Sequence, residues 1–348
     1  MTGALRFLTS ENRRWESLLV GILILTVIFN VTQSTNYVGV NNFINLFELS
    51  VEKIIIAVVM AFVIISGEID LSVASVMGVG ACVVAFLHDS TSVPFLLAII
   101  IAIGVGGLAG LVQGWSTAKL GVPSLVVTLA GLIGFRGLAR ILVEDRSIGD
   151  FPSWFDSLGQ SGLIGPLPFS VIVFAVAVLF GGVLLSRTGL GRRAYVIGDN
   201  AEMARFSGID VATYKIRLFV VSGAVASFAG VLFAARLGSV RGDLASGFEL
   251  DIITMVLLGG VSIFGGTGSM VGVFTSILIV LNLRNGLGLA NVEANTQTGI
   301  IGLILIVSVV LRNAFDRFGT TSTDPDPGTG AKDGSGTHPG MATVAAEG

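Results

Sequence analysis

Residues 52–88 read EKIIIAVVMAFVIISGEIDLSVASVMGVGACVVAFLH, two apolar runs separated by Ile65-Ser66-Gly67-Glu68-Ile69-Asp70-Leu71-Ser72. Each run approaches the roughly 20 mostly apolar residues that a helix needs to cross a bilayer. The break between them carries Glu68 and Asp70. Acids at membrane depth are costly and face protein, water or a pathway rather than lipid. Gly67 offers permissive torsions for a tight turn. Asp70 stands where it can cap the next helix near its positive end. A structural turn and a contact with a transported molecule are both open for this break, because broken helices line transport sites.

The same pattern governs the rest of the chain. Of its 348 residues 53% are hydrophobic and 12% charged, against roughly a quarter charged in soluble domains. That leaves too little polar surface to cover a soluble body of this size. The sequence predicts about ten membrane spans, near 17–34, 52–67, 71–88, 93–115, 123–142, 167–186, 214–237, 251–264, 269–288 and 297–313. The expected fold is all-α, a polytopic membrane protein of about ten transmembrane helices with broken helices at two Gly-rich breaks. A cytoplasmic segment, 1–16, precedes a membrane domain, 17–317. The stretch 318–348 is rich in Pro, Gly, Ser, Thr and Asp. It cannot bury enough apolar area to offset its ordering entropy and is expected to be a disordered cytoplasmic tail.

Lys and Arg set the orientation. With the N-terminus in the cytoplasm, the cytoplasmic segments collect Arg13, Arg14, Lys119, Arg187, Arg192, Arg193, Arg205, Lys215, Arg217, Arg312 and Arg317. The opposite side collects fewer, among them Lys53, Arg140, Arg146, Arg241 and Arg284. The excess places both termini inside. Glu144 to Leu167, with Phe151, Trp154 and Phe155, reads as an external loop with interfacial aromatics.

Composition also limits the chemistry. A net charge of −3 supplies no basic excess for nucleic acid. Cys82 is the sole cysteine and lies in an apolar run, so it reads as packing. With His88 and His338 as the only histidines, histidine catalysis and metal binding are nearly excluded. No lysine completes a G-x-x-x-x-G-K-[ST] loop, and neither G-x-S-x-G nor H-E-x-x-H occurs. The run Gly104–Gly107 lies within an apolar span and reads as close helix packing. No catalytic residue, metal or cofactor is expected in this chain.

Two further stretches stand out. Leu258-Gly259-Gly260-Val261-Ser262-Ile263-Phe264-Gly265-Gly266-Thr267-Gly268-Ser269 breaks a late apolar region as 65–72 breaks an early one. Paired Gly-interrupted segments in two halves suggest an internal repeat, with two independent turns as the alternative. In Gly191–Ile209, Asn200 starts and Gly208 stops a helix of about two turns. Glu202 lies in its first turn and Arg205 in its last, as the helix dipole prefers. Met203 and Phe206 give it an apolar surface. Such a short helix is marginal alone and needs protein, membrane or a partner to pack on.

Together these stretches resemble one family, the ribose-type permease subunits of bacterial ABC sugar importers. Gly67, Ile69, Asp70, Leu71 and Ser72 match its G-x-I-D-L-S pattern. Gln113-Gly114, followed by Pro123, Ser124, Val127, Thr128, Leu129, Arg136 and Gly137, matches a second motif, with Gln113 in place of the commoner Asn. Gly191–Ile209 and Gly259–Ser269 match two more, followed by Asn285-Gly286. The last third is also similar to permeases for rhamnose-type deoxysugars and the sugar-like autoinducer AI-2.

The resemblance implies a bacterial inner-membrane permease that translocates a sugar (pentose, hexose, deoxysugar or AI-2-like) and has no ATPase site of its own. ATP would be used by cytoplasmic ABC ATPase subunits. An extracytoplasmic sugar-binding protein would deliver substrate, and a second permease subunit would complete the pore. Asn200, Glu202, Met203, Arg205, Phe206 and Gly208 would form the element that meets the ATPase. Asp70, Ser72, Ser75, Thr128 and Asn285 are the candidate pathway residues. Their polar groups could meet sugar hydroxyls or bond to their own helix backbone. Competing readings are a branched-chain amino acid ABC permease, a stand-alone secondary transporter, and an intramembrane enzyme working through Glu68 and Asp70.

Overall fold

The computed structural model describes residues 2–33, 35–160, 162–164 and 167–320. Helix α1 (Thr2–Gln33) leads through a 3-10 turn (Thr35–Val38) to α2 (Val40–Glu48) and α3 (Val51–Ile65). Then follow α4 (Val73–Ser90), α5 (Phe95–Leu120), α6 (Ser124–Val143), β1 (Ile148–Gly149), α7 (Ser153–Gln160), β2 (Gly162–Ile164) and β3 (Leu167–Pro168). The second half comprises α8 (Phe169–Arg187), α9 (Gly189–Asp199), α10 (Ala201–Phe206), α11 (Val211–Leu237), β4 (Ser239–Val240), α12 (Phe248–Leu258), α13 (Met270–Leu289) and α14 (Ala294–Thr320). Among the described residues, those up to 309 form one unit, and 310–320, the last turns of α14, belong to a second. Of the expected tail, 321–348 lie outside the described residues.

The protein is an all-α, multi-pass membrane bundle. Among the described residues seven helices are long and apolar enough to cross a bilayer: Arg13–Gln33 of α1, α4, α5, α6, α11, α13, and Ala294–Leu311 of α14. Counted as one span, the pair α8–α9, bent by 66°, brings the number to eight. The expected spans 52–67 and 251–264 fall short of full length. Helix α3 has 15 residues and α12 has 11, about 22 and 16 Å at 1.5 Å per residue, against a hydrocarbon thickness near 30 Å. Helix α3 stops where Ser66 Oγ turns back to donate to the Val63 carbonyl (2.8 Å) and Gly67 adopts a left-handed φ of +80°.

Helices α4, α5 and α11 pack backbone against backbone. Small residues recur at every fourth position of α5, at Ala98, Ala102, Gly106, Gly110 and Gly114, and all are buried. A Cβ at Gly110 would fall on the Phe219 carbonyl of α11, and one at Gly106 on the Gly223 carbonyl. Ser227 Oγ donates to the Ala102 carbonyl at 2.7 Å. In hydrocarbon no hydrophobic force joins helices, so close approach and such bonds must do it. Within the run 104–107, Gly106 carries this packing, whereas Gly104 faces open space. Cys82 is fully buried. Phe151 and Phe155, expected at the interface, instead turn inward onto Phe95, and Trp154 alone of the three stays exposed.

The ends of the helices gather in two sets. At one end Trp15 Nε1 donates to the Leu258 carbonyl (3.1 Å), Gly266 N to the Ile65 carbonyl (2.9 Å) and the Tyr195 hydroxyl to the Gly268 carbonyl (2.9 Å). These bonds bring α1, both Gly-rich breaks and α9 together. At the other end β1 pairs antiparallel with β4 against α4, and the Lys53–Asp251 ion pair joins the first turns of α3 and α12.

Overpacking a tight helix contact costs about 1–3 kcal/mol. Gly110→Leu is therefore expected to lower the thermal unfolding midpoint in detergent by roughly 1–4 °C, and Gly104→Leu on the same helix to leave it within about 0.5 °C. Equal effects of the two would refute the α5–α11 contact.

Candidate functional site

The first break is a polar knot. Asp70 is buried, and its Oδ1 accepts from Ser72 N (3.0 Å) and Ser72 Oγ (2.6 Å), its Oδ2 from Ser222 Oγ of α11 (3.0 Å). Three donors make a water-deprived carboxylate tolerable. Asp70 thus folds the chain back on itself two residues on. It does not cap α4, whose N-cap is Ser72. Gln113 Nε2 of α5 donates to Ser72 Oγ at 2.7 Å, lying across Gly131 of α6. Ile69 N donates to Ser124 Oγ (3.2 Å), and Thr128 Oγ1 lies within bonding distance of the carbonyls of Ile69 (3.2 Å) and Ser124 (2.8 Å). Ser75 Oγ donates to the Leu132 carbonyl at 2.8 Å.

Glu68 forms an ion pair with Lys215 on the first turns of α11, and both side chains are largely shielded. Helix α11 is capped by Asp210, which accepts from Thr213 Oγ1 (2.6 Å) and Thr213 N (3.0 Å). Those two bonds hold the Asp210 carboxyl below the usual carboxylate range.

Helix α10 lies directly upstream. Asn200 caps it, accepting from Met203 N at 2.9 Å, and the chain leaves it through Gly208 at φ +81°. Glu202 lies in the first turn and Arg205 in the last. Ala204 is buried against Ile197 and Val211. Met203 and Phe206 point outward, Phe206 being 92% exposed. The preceding helix, α9, is absent from the sequence reading, because its few apolar residues make no long run. Its Gly198 is wedged between Ile65 and Gly266, where any side chain would strike the Ile65 carbonyl. The segment before α10 therefore touches both breaks at one point.

At the opposite end lies a cluster that sequence reasoning missed. Lys53 Nζ and Arg284 both pair with Asp251, at 2.9 and 2.5 Å. Arg236 pairs with Glu52 (2.8 Å) and Arg136 with Glu249 (3.1 Å). Glu52, Glu249 and Asp251 occupy the first turns of α3 and α12, where the helix dipole favours acids. Lys53 also lies 4.2 Å from the Phe248 ring centroid. Glu249 Oε2 and Arg284 Nε have no hydrogen-bond partner among the described residues. Acids at the head of two short apolar runs were the available signal, but the Arg partners of Glu52 and Glu249 lie over 100 residues away in sequence. Lys53 and Arg284, counted as outer-loop charges in the orientation reading, sit inside these pairs.

The five pathway candidates separate. Asp70, Ser72 and Thr128 share the knot, and Ser75 stands one turn along α4. Asn285 is at the other end, exchanging amide bonds with Asn42 of α2 at 2.8 and 3.0 Å. Among the described residues no group of three or more His, Cys, Asp or Glu could hold a metal ion.

The family described as Branched-chain amino acid transport system / permease component matches residues 42–309. Among curated relatives, the Autoinducer 2 import system permease protein LsrD of Yersinia pseudotuberculosis is 32% identical over 86% of this chain and 91% of its own length. Its counterparts in Yersinia enterocolitica (32%, over 86% and 92%) and Yersinia pestis (31%, over 86% and 91%) are similar. No solved structure matches.

Breaking a shielded pair leaves an uncompensated charge at a cost of about 3–5 kcal/mol. Glu68→Lys and Lys215→Glu should each reduce the yield of monodisperse, detergent-extracted protein several-fold, and the double exchange should restore most of it. An exchange variant no better than either single change would show that the pair does not join α11 to the break.

Proposed function

We propose a function from one premise: this chain belongs to the family of membrane permeases described as Branched-chain amino acid transport system / permease component. It is a transport subunit, the permease of an ABC importer in the bacterial inner membrane, and it carries a sugar-like solute of the AI-2 kind. Helix α10 is the observation that carries this reading. A two-turn helix with caps at both ends presents Met203 and Phe206 to solvent instead of to the core. Rigid exposed apolar groups of this kind serve as docking anchors. In this reading Asn200 and Gly208 delimit the helix, Glu202 and Arg205 orient it, and Met203 and Phe206 enter a cytoplasmic ABC ATPase. The ATPase hydrolyses ATP, an extracytoplasmic binding protein delivers the solute, and a second permease subunit completes the pore.

The short helices α3 and α12 count as passes here, giving ten with both termini cytoplasmic, segment 1–16 inside and the membrane domain over 17–317. The contact of Trp15 with Leu258 at the α10 end agrees with that placement. Closure of the ATPase pair moves α10. Glu68–Lys215 and the wedge at Gly198 pass the motion to the two breaks, a two-state element biased by nucleotide. Asp70, Ser72, Ser75 and Thr128 act on the pathway by fixing the first break, and Asn285 by fixing α13 to α2. The polar cluster at the opposite end faces the side from which the solute arrives.

A second reading, amino acid import, is favoured by the family description itself. Proteoliposomes holding the complete importer should accumulate an AI-2-like solute with ATP and leave leucine outside, and the reverse would transfer the assignment. When the chain is co-expressed with its ATPase subunit, Glu202→Arg combined with Phe206→Asp should remove at least 90% of the co-purified ATPase. If the folded wild-type chain binds no ATPase, the reading fails in favour of a stand-alone transporter.

A further inference from the structure

The loop between α12 and α13 carries a second exposed ring beside α10. Phe264 is 88% exposed, in a segment that is otherwise tightly fixed. Ser262 N donates to the Thr267 carbonyl (3.1 Å), Gly265 N to the Ser262 carbonyl (3.0 Å), and Phe264 N to Ser262 Oγ (3.2 Å). Gly266 N holds the loop to the end of α3 through the Ile65 carbonyl. Gly265 has a φ of +83°, and a Cβ there would come within 3.0 Å of backbone in both Gly67 and Gly198. A Cβ at Gly266 would lie 2.9 Å from the Cα of Asp199, the residue before the α10 cap. The loop therefore cannot fold Phe264 inward without breaking its contacts with both the first break and the α10 segment.

An aromatic ring fixed in this way loses little entropy on binding, which suits it to act as an anchor. We propose that Phe264 is a second docking anchor for the cytoplasmic ATPase, forming with Met203 and Phe206 one apolar surface that straddles α10 and the second break. This rests on the reading of α10 as the ATPase contact and extends it. The ATPase is the occupant because the loop is anchored to residues 198–199, directly before the α10 cap, and the neighbouring exposed groups Asp199, Glu202 and Arg205 are charged. Lipid-facing surfaces lie instead along the apolar flanks of α5 and α6. The consequence is mechanical. A partner that grips α10 and Phe264 together holds both the α10 segment and the second break, so its motion reaches α13 without first passing through α11.

The test uses the full chain co-expressed with its ATPase subunit and purified in nanodiscs. A photo-crosslinking phenylalanine analogue at position 264 should capture the ATPase. Capture of only a second permease copy or of lipid would overturn the proposal. Phe264→Asp should weaken ATPase binding roughly ten-fold, and Phe264→Leu should retain most of it. If Phe206→Asp releases the ATPase while Phe264→Asp does not, this inference falls and the role of α10 stands. If the wild-type chain itself binds no ATPase, both fall. Should Phe264→Asp fail to yield monodisperse protein, the crosslink decides.

Discussion

A carboxylate withdrawn from water must find its hydrogen bonds within the protein, and much of this structure is arranged around that requirement at Asp70. Its donors come from its own turn and from α11, and Ser72 relays the link to α5 through Gln113. The backbone of the same turn is held by Ser124 and Thr128 of α6. An interruption in a membrane helix frees backbone groups that lipid cannot satisfy. Here neighbouring helices satisfy them, and the break becomes a fixed joint instead of a hinge of undefined geometry.

The Gly-rich turns that follow α3 and α12 are built alike. Helices α3 and α12 are both short, begin with acids that pair to distant arginines, and end in glycines. Each is followed by a longer helix, and the two turns meet at Gly67, Gly198 and Gly265. This likeness supports the internal repeat that the sequence suggests. Between the joint at one end and the ion pairs at the other, α4, α5 and α11 meet through small residues with little room to shift. Motion in such a bundle is more easily concentrated at its ends than spread along it.

Legibility in the sequence followed the range of the interactions. Apolar length identified the long spans, because a bilayer imposes one dimension on every crossing helix. Helix α10 was readable to its caps, since Asn200, Glu202, Arg205 and Gly208 act within one another's reach. Pairings between remote positions were not. Glu52 with Arg236 and Arg136 with Glu249 leave no local trace, and Phe151 and Phe155 matched the pattern of interfacial aromatics until Phe95 supplied an inner partner. Asn285 seemed to belong with Ser72 and Thr128 by polarity alone, and only the direction of α13 separates them.

The pairing of Glu52 with Arg236 also bears on how the chain is made. A helix entering the membrane alone with Glu52 and Lys53 in its first turn carries two charged groups with no partner of its own to shield them. Their partners, Arg236 and Asp251, belong to segments synthesised far later. Until α11 and α12 are made, α3 holds both charges without the partners that neutralise them in the finished bundle.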